Sequence, residues 1–192
     1  MQILIVEDDY LQASNMAEAL RSNFPESKVR RLGSEYAFVS ALESIRSEPP
    51  EIVLMDIMLR WAEPTPDTPP PPEEVTRGGF ARAGIRCLKL LLQSSETKHV
   101  PVILYSVLER GDVANEFDSL PGHVLFLRKD ADDDVLVRHL RSLLVGIGEV
   151  PDAMSTWRWR LWNSIEAKPG WLGFGIDLKK LFHRSKGTED DS

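Results

Sequence analysis

Two patterns of apolar residues alternate along the first 148 positions of this chain. Continuous apolar runs stand at Ile3-Leu4-Ile5-Val6, Ile52-Val53-Leu54-Met55, Val102-Ile103-Leu104-Tyr105 and Val124-Leu125-Phe126-Leu127. Such runs suit parallel strands covered on both faces. Between them, apolar residues recur at helical spacing, at Ala13, Met16, Ala17, Leu20 and Phe24, and again at Phe38, Ala41, Leu42 and Ile45. Gly84, Cys87, Leu88 and Leu91 make a third stripe, and Leu136, Leu140, Leu143, Leu144 and Ile147 another. A shorter helix is expected at Val113, Phe117 and Leu120. Each stripe marks a helix with one buried face. Val29-Arg30-Arg31-Leu32 departs from the strand pattern, and its two arginines suit an edge strand exposed on one side. The pattern predicts an α/β fold, a doubly wound five-stranded parallel sheet of flavodoxin-like order 2-1-3-4-5. That order puts the ends of strands 1 and 3 at the switch point, where such folds bind ligands.

Two segments interrupt the alternation. Residues 61–79 hold Pro64, Pro66 and Pro69 to Pro72 and read as a long, stiff, helix-free loop. It follows the Asp56 strand directly, over or beside its end, and is expected to be a mobile insertion rather than a functional loop. After Gly148, residues 149–192 form a short, mainly helical extension. Pro151-Asp152 opens a helix whose stripe is Met154, Trp157, Leu161, Trp162 and Ile165, and Lys168-Pro169-Gly170 stops it. Trp171 to Ile176 is a short apolar segment, a helical turn or two follows through Leu181-Phe182, and the acidic end from Thr188 reads as disordered. About 40 residues can hardly bury a core of their own, so these tryptophans must pack on the main domain, a second copy or a partner.

Composition narrows the classes. The chain has 192 residues, a formal charge of −7 and 42% hydrophobic residues. That fits one domain of about 100–150 residues with an extension, and the acidic balance argues against non-specific nucleic-acid binding. Cys87 is the only cysteine, which excludes an internal disulfide and a thiolate metal cluster. With no signal-peptide pattern and no apolar run approaching about 18–20 residues, a soluble cytoplasmic protein without a transmembrane segment is expected.

Polar residues at the strand ends carry the chemistry. Glu7 and Asp8 end the first run, Asp56 the run from Ile52, Ser106 the run from Val102, and Lys129 lies just beyond Leu127. Three acids, a hydroxyl and an ammonium at the same end of four strands suggest a site for a metal ion and a phosphoryl group. Carboxylates gathered at one point repel each other unless a cation intervenes. Magnesium (Mg²⁺) takes oxygen ligands and is commonly shared between one or two carboxylates and a phosphate. Asp8 and Asp56 are the natural ligands, with Glu7 acting through water. Asp56 is the best nucleophile, since carboxylates form acyl phosphates. Lys129 would pair with one phosphoryl oxygen and Ser106 hydrogen-bond another. Asp9 reads as a helix cap.

As a set, Ile-Leu-Ile-Val-Glu7-Asp8-Asp9, Val-Leu-Met-Asp56, Ile-Leu-Tyr-Ser106 and Phe126-Leu-Arg-Lys129-Asp-Ala resemble a response-regulator receiver domain of two-component signalling, over residues 1–148. The resemblance implies that Asp56 accepts a phosphoryl group from a histidine kinase or phosphotransfer protein. It implies Mg²⁺ (or Mn²⁺) held by Asp8, Asp56 and the backbone carbonyl of Met58, with Glu7 in support. It also implies Ser106 and Phe126 as the switch pair, the ring changing rotamer as the hydroxyl moves toward the phosphate. Such a domain is a phosphoacceptor rather than an enzyme, capable at most of self-phosphorylation from small donors and self-dephosphorylation. Arg60 stands where the family usually has proline, Asp130 follows Lys129 in place of the frequent proline, and the loop after strand 3 is normally short. Apolar Met58, at a position that meets approaching water in relatives, would slow hydrolysis.

Phosphorylation of such domains biases a two-state face made by the fourth helix, fifth strand and fifth helix. Here that face holds Val113, Phe117, Arg128, Arg138 and Arg141. No helix-turn-helix of adequate length follows, so DNA binding is not expected. The run Trp157-Arg158-Trp159-Arg160-Leu161-Trp162 suits a protein interface better than a membrane surface or nucleic acid. The expected function is a phosphorylation-switched signalling protein acting on an unknown output protein or a second copy. The alternative is a receiver-like interaction scaffold that is not phosphorylated.

Overall fold

The computed structural model of the chain describes residues 1–108, 120–129 and 133–146. The helix expected at Val113 and Phe117, and the whole extension at residues 149–192, lie outside these residues. Five strands, β1 (Gln2–Val6), β2 (Lys28–Leu32), β3 (Ile52–Met55), β4 (Val102–Ser106) and β5 (Val124–Arg128), form one sheet in the order β2-β1-β3-β4-β5. Every pairing is parallel. The described helices are α1 (Tyr10–Asn23), α2 (Glu35–Ser47), α3 (Glu73–Gly78), α4 (Ala83–Leu92) and α5 (Asp133–Gly146), with a 3₁₀ turn at Phe80–Arg82. None among the described residues is long and apolar enough to cross a membrane.

Strand alternation divides the core between two faces. Ile3, Ile5, Ile52, Leu54 and Ile103 pack with Ala13, Met16 and Leu20 of α1 and Leu136 and Leu140 of α5. The opposite face lies under α2 and α4, which pack on each other. There Phe38, Leu42, Ile45, Cys87, Leu88 and Leu91 are buried, as their spacing predicts. All four residues of β3 are buried, because the strand is central and covered on both sides. Edge strand β2 exposes Lys28, Arg30 and Arg31.

Side chains close the helix starts. Asp9 caps α1, its Oδ1 accepting from the Gln12 amide at 2.9 Å, and Ser34 caps α2, its Oγ accepting from the Ala37 amide at 3.1 Å.

The segment after β3 corrects one expectation. Residues 61–79 are not helix-free, because Glu73–Gly78 forms α3. Pro72 stands at its start, Glu73 and Glu74 occupy its first turn and Arg77 its last, which complements the helix dipole. Six residues are too few for apolar periodicity to reveal. The prolines before it run past the start of α2. The Glu35 and Tyr36 amides, which have no partner inside their helix, donate to the Arg60 and Trp61 carbonyls at 3.1 and 2.7 Å. The Trp61 indole donates to the Pro69 carbonyl at 2.9 Å and packs on Tyr36 with ring centroids 5.4 Å apart.

Candidate functional site

Parallel pairing brings the strand ends together. Val6 pairs with Met55, so Glu7 and Asp56 follow side by side, and the Asp56 amide donates to the Val6 carbonyl at 2.9 Å. Ser106 pairs with Arg128, and the Lys129 amide donates to the Ser106 carbonyl at 2.9 Å. Four strands thus deliver Glu7, Asp56, Ser106 and Lys129 to one edge of the sheet, with Asp8 beside them.

Lys129 ties the centre. Its Nζ lies 2.6 Å from Glu7 Oε2 and 2.7 Å from Asp56 Oδ2, with all three side chains at least nine-tenths buried. The backbone holds the remaining carboxylate oxygens. Asp9 N donates to Glu7 Oε1 and Met58 N to Asp56 Oδ1, both at 3.0 Å. Burial pushes the Glu7 carboxyl above its ordinary range, Lys129 opposes this, and nearby Asp56 adds to the rise. Burial alone would lower the Lys129 ammonium, but Asp56 and Glu7 together outweigh it and hold it above the usual lysine value.

Asp8 is neutralised from another direction. Arg60 Nε lies 3.0 Å from Asp8 Oδ2, and the Arg60 amide donates to the same oxygen at 3.2 Å. The side-chain hydrogen bond to Asp8 raises the Arg60 pKa, against a smaller opposing effect of burial. Arg60 also reaches Glu63 Oε2 at 3.4 Å. Arg31 faces main chain instead, donating to the carbonyls of Glu7 at 3.1 Å and Asp8 at 3.2 Å. Asp8, Tyr10, Arg31, Arg60 and Glu63 border a cleft beside the buried centre.

The donor set fits a hard divalent cation. One oxygen each from Glu7, Asp8 and Asp56 lies within 4.8 Å of the other two. Ligands of octahedral Mg²⁺, each at about 2.0–2.1 Å, stand about 3–4 Å apart, so the carboxylates would draw together around the ion. Glu7 and Asp56 each spend both oxygens on Lys129 and a backbone amide, whereas Asp8 lines the cleft. The other residues singled out by sequence stand on β4, on β5 and just after β3. Ser106 is fully buried, its Oγ 3.5 Å from the Leu108 amide. Met58 is half-buried two residues past Asp56. Phe126 is half-buried on edge strand β5, paired with Leu104.

Sequence reasoning missed two contributions. Gly84 reads as one position of an apolar stripe, but its role is close approach. A Cβ there would stand 2.0 Å from the Asp56 carbonyl oxygen and 2.8 Å from Ile57 Cα. The Gly84 amide donates to the Ile57 carbonyl at 2.9 Å, so α4 begins against the backbone that carries Asp56. A glycine inside a helical stripe is the available signal. The second is Arg60, which sequence marks only as a departure and the structure places on Asp8.

No family model matches this chain, and no curated protein matches it. Solved structures do. The N-terminal domain of a response regulator/sensory box/GGDEF protein from Carboxydothermus hydrogenoformans is 20% identical, with a TM-score of 0.53, covering 85% of this chain and 98% of its own. The signal receiver domain of a signal transduction histidine kinase from Syntrophus aciditrophicus is 21% identical, with a TM-score of 0.55, covering 80% and 96%. The signal receiver domain of a DNA binding response regulator from Colwellia psychrerythraea 34H is 17% identical, with a TM-score of 0.55, covering 75% and 98%. Strand order, parallel pairing and these likenesses agree that the fold of this chain is that of the response-regulator receiver domain.

Proposed function

We propose that this protein is a phosphorylation-switched signalling domain in which Asp56 accepts a phosphoryl group from a histidine kinase or phosphotransfer protein. The observation that carries the reading is the bridge from Lys129 to both Glu7 and Asp56, beside Asp8 at the switch-point edge of the sheet. Asp56 needs no base to become nucleophilic. An Asp56 oxygen bonds to phosphorus as the phosphorus–nitrogen bond of a phosphohistidine breaks, and the electron pair leaves with the imidazole nitrogen. The Met58 amide orients the carboxylate during attack. Lys129 then pairs with a phosphoryl oxygen, and Ser106 donates to another. When bound, Mg²⁺ or Mn²⁺ supplies charge neutralisation between carboxylate and phosphoryl oxygens. Asp8, Asp56 and the Met58 carbonyl would hold it, with Glu7 in support. The same site allows self-phosphorylation from small donors and self-dephosphorylation, and no further catalytic role is proposed.

Ser106 and Phe126 serve as the switch pair in this reading, passing the state to the face that carries Arg128, Arg138 and Arg141, exposed on β5 and α5. The output is a protein partner or a second copy, reached through that face and the extension. The Asp8–Arg60 ion pair supports the alternative, a scaffold that is not phosphorylated, because it neutralises Asp8 without a metal.

Incubation with Mg²⁺ and acetyl phosphate, followed by intact mass, separates the two. Phosphorylation predicts one added phosphoryl group on the wild type and none on Asp56→Asn. No added phosphoryl group on the wild type would sink the acceptor reading.

A further inference from the structure

We infer that Arg60 is an internal counter-ion that holds the cation position at Asp8 closed, so that a divalent ion binds as the guanidinium leaves. This rests on the metal site proposed above. Lys129 serves Glu7 and Asp56, and Arg31 serves carbonyl oxygens. Among the described residues, the side-chain cation on the Asp8 carboxylate is Arg60. Its Nε and backbone amide converge on one Asp8 oxygen, at 3.0 and 3.2 Å, and its Nη2 donates to the Asp8 carbonyl at 3.2 Å. A metal ion drawn to that carboxylate meets a positive charge already in place, and the two cations repel.

The pair is placed to open. The Arg60 side chain is 43% exposed and that of Asp8 22%, so water can replace each hydrogen bond as it breaks. A second acceptor stands nearby, since Arg60 Nη1 is already 3.4 Å from Glu63 Oε2. The guanidinium can therefore turn to Glu63 without giving up a carboxylate partner. Its backbone has a separate anchor, with the Arg60 and Trp61 carbonyls accepting from the first amides of α2. The side chain can swing while the main chain stays, and the departure at position 60 becomes a control on the site.

Calorimetric titration of the full chain with Mg²⁺ tests this. Removing the competitor in Arg60→Ala should tighten cation binding about 3- to 5-fold, the equivalent of a partly exposed ion pair. Arg60→Gln keeps the stem, and should tighten it equally if the alanine variant folds poorly. Arg31→Gln removes a neighbouring guanidinium that touches no carboxylate, and should change affinity less than about twofold. Equal affinity in wild type and both Arg60 variants overturns the inference and leaves the metal site standing. Equal tightening in Arg31→Gln also overturns it, since the effect would then be one of general charge. Absence of binding in every folded variant removes the metal site, and this inference with it.

Discussion

Two guanidinium–carboxylate pairs flank the start of α2, and they are built for opposite ends. Arg86 of α4 grips Glu35 of α2 with both arms, Nε to Oε1 at 2.6 Å and Nη2 to Oε2 at 2.7 Å. Those side chains are only 13% and 4% exposed, and Arg86 also donates to the Gly79 carbonyl at 3.0 Å. Arg60 meets Asp8 through one carboxylate oxygen, half in water, with Glu63 as a second partner. The chemistry is the same, but burial and fork geometry decide the consequence. Breaking the first strands a charge in the interior, while breaking the second hands two charges to solvent. A fold can thus use one kind of pair as a fixed clamp and as a releasable cover beside one helix start.

The comparison breaks most visibly at Glu35. Glu35→Ala leaves Arg86 buried without its partner, and urea unfolding should show a loss of about 3–5 kcal/mol. Replacing both partners by methionine should recover most of that loss, because the interior then holds no charge to strand. A double variant as unstable as Glu35→Ala would show that the pair itself, rather than the orphaned cation, sets the cost. The smallest effect is expected at the cover. Arg60→Ala should change unfolding free energy by no more than about 1 kcal/mol, with the difference fading at high salt. A loss as large as that of Glu35→Ala would erase the distinction.

The two pairs also mark what could be read from the chain. Strands and long helices were legible because each is a local pattern, such as the four consecutive apolar residues of β3 or the stripe from Ala13 to Leu20. The site was legible because parallel strands end at a common edge, so residues following separate runs must meet there. Glu35 and Arg86 are 51 positions apart on two helices, and neither residue type announces burial. Only the packing of α2 on α4 joins them. The same holds for Gly84, whose stripe position says nothing of the Asp56 carbonyl 2.0 Å from where a side chain would begin. Helix α3 was hidden by its length, and Arg60 was visible as a difference without a partner.

The hydrogen bond from Gly84 to Ile57 gives the chain a practical property. It pins together the two ends of the long excursion between β3 and α4. The entropy of closing such a loop grows only with the logarithm of its length, about 0.6 kcal/mol for each doubling. Beyond the ties at Arg60 and Trp61, residues can be added or removed at the prolines while the acceptor edge keeps its frame. That stretch is a natural port for grafting a reporter or a recognition peptide within reach of Asp56.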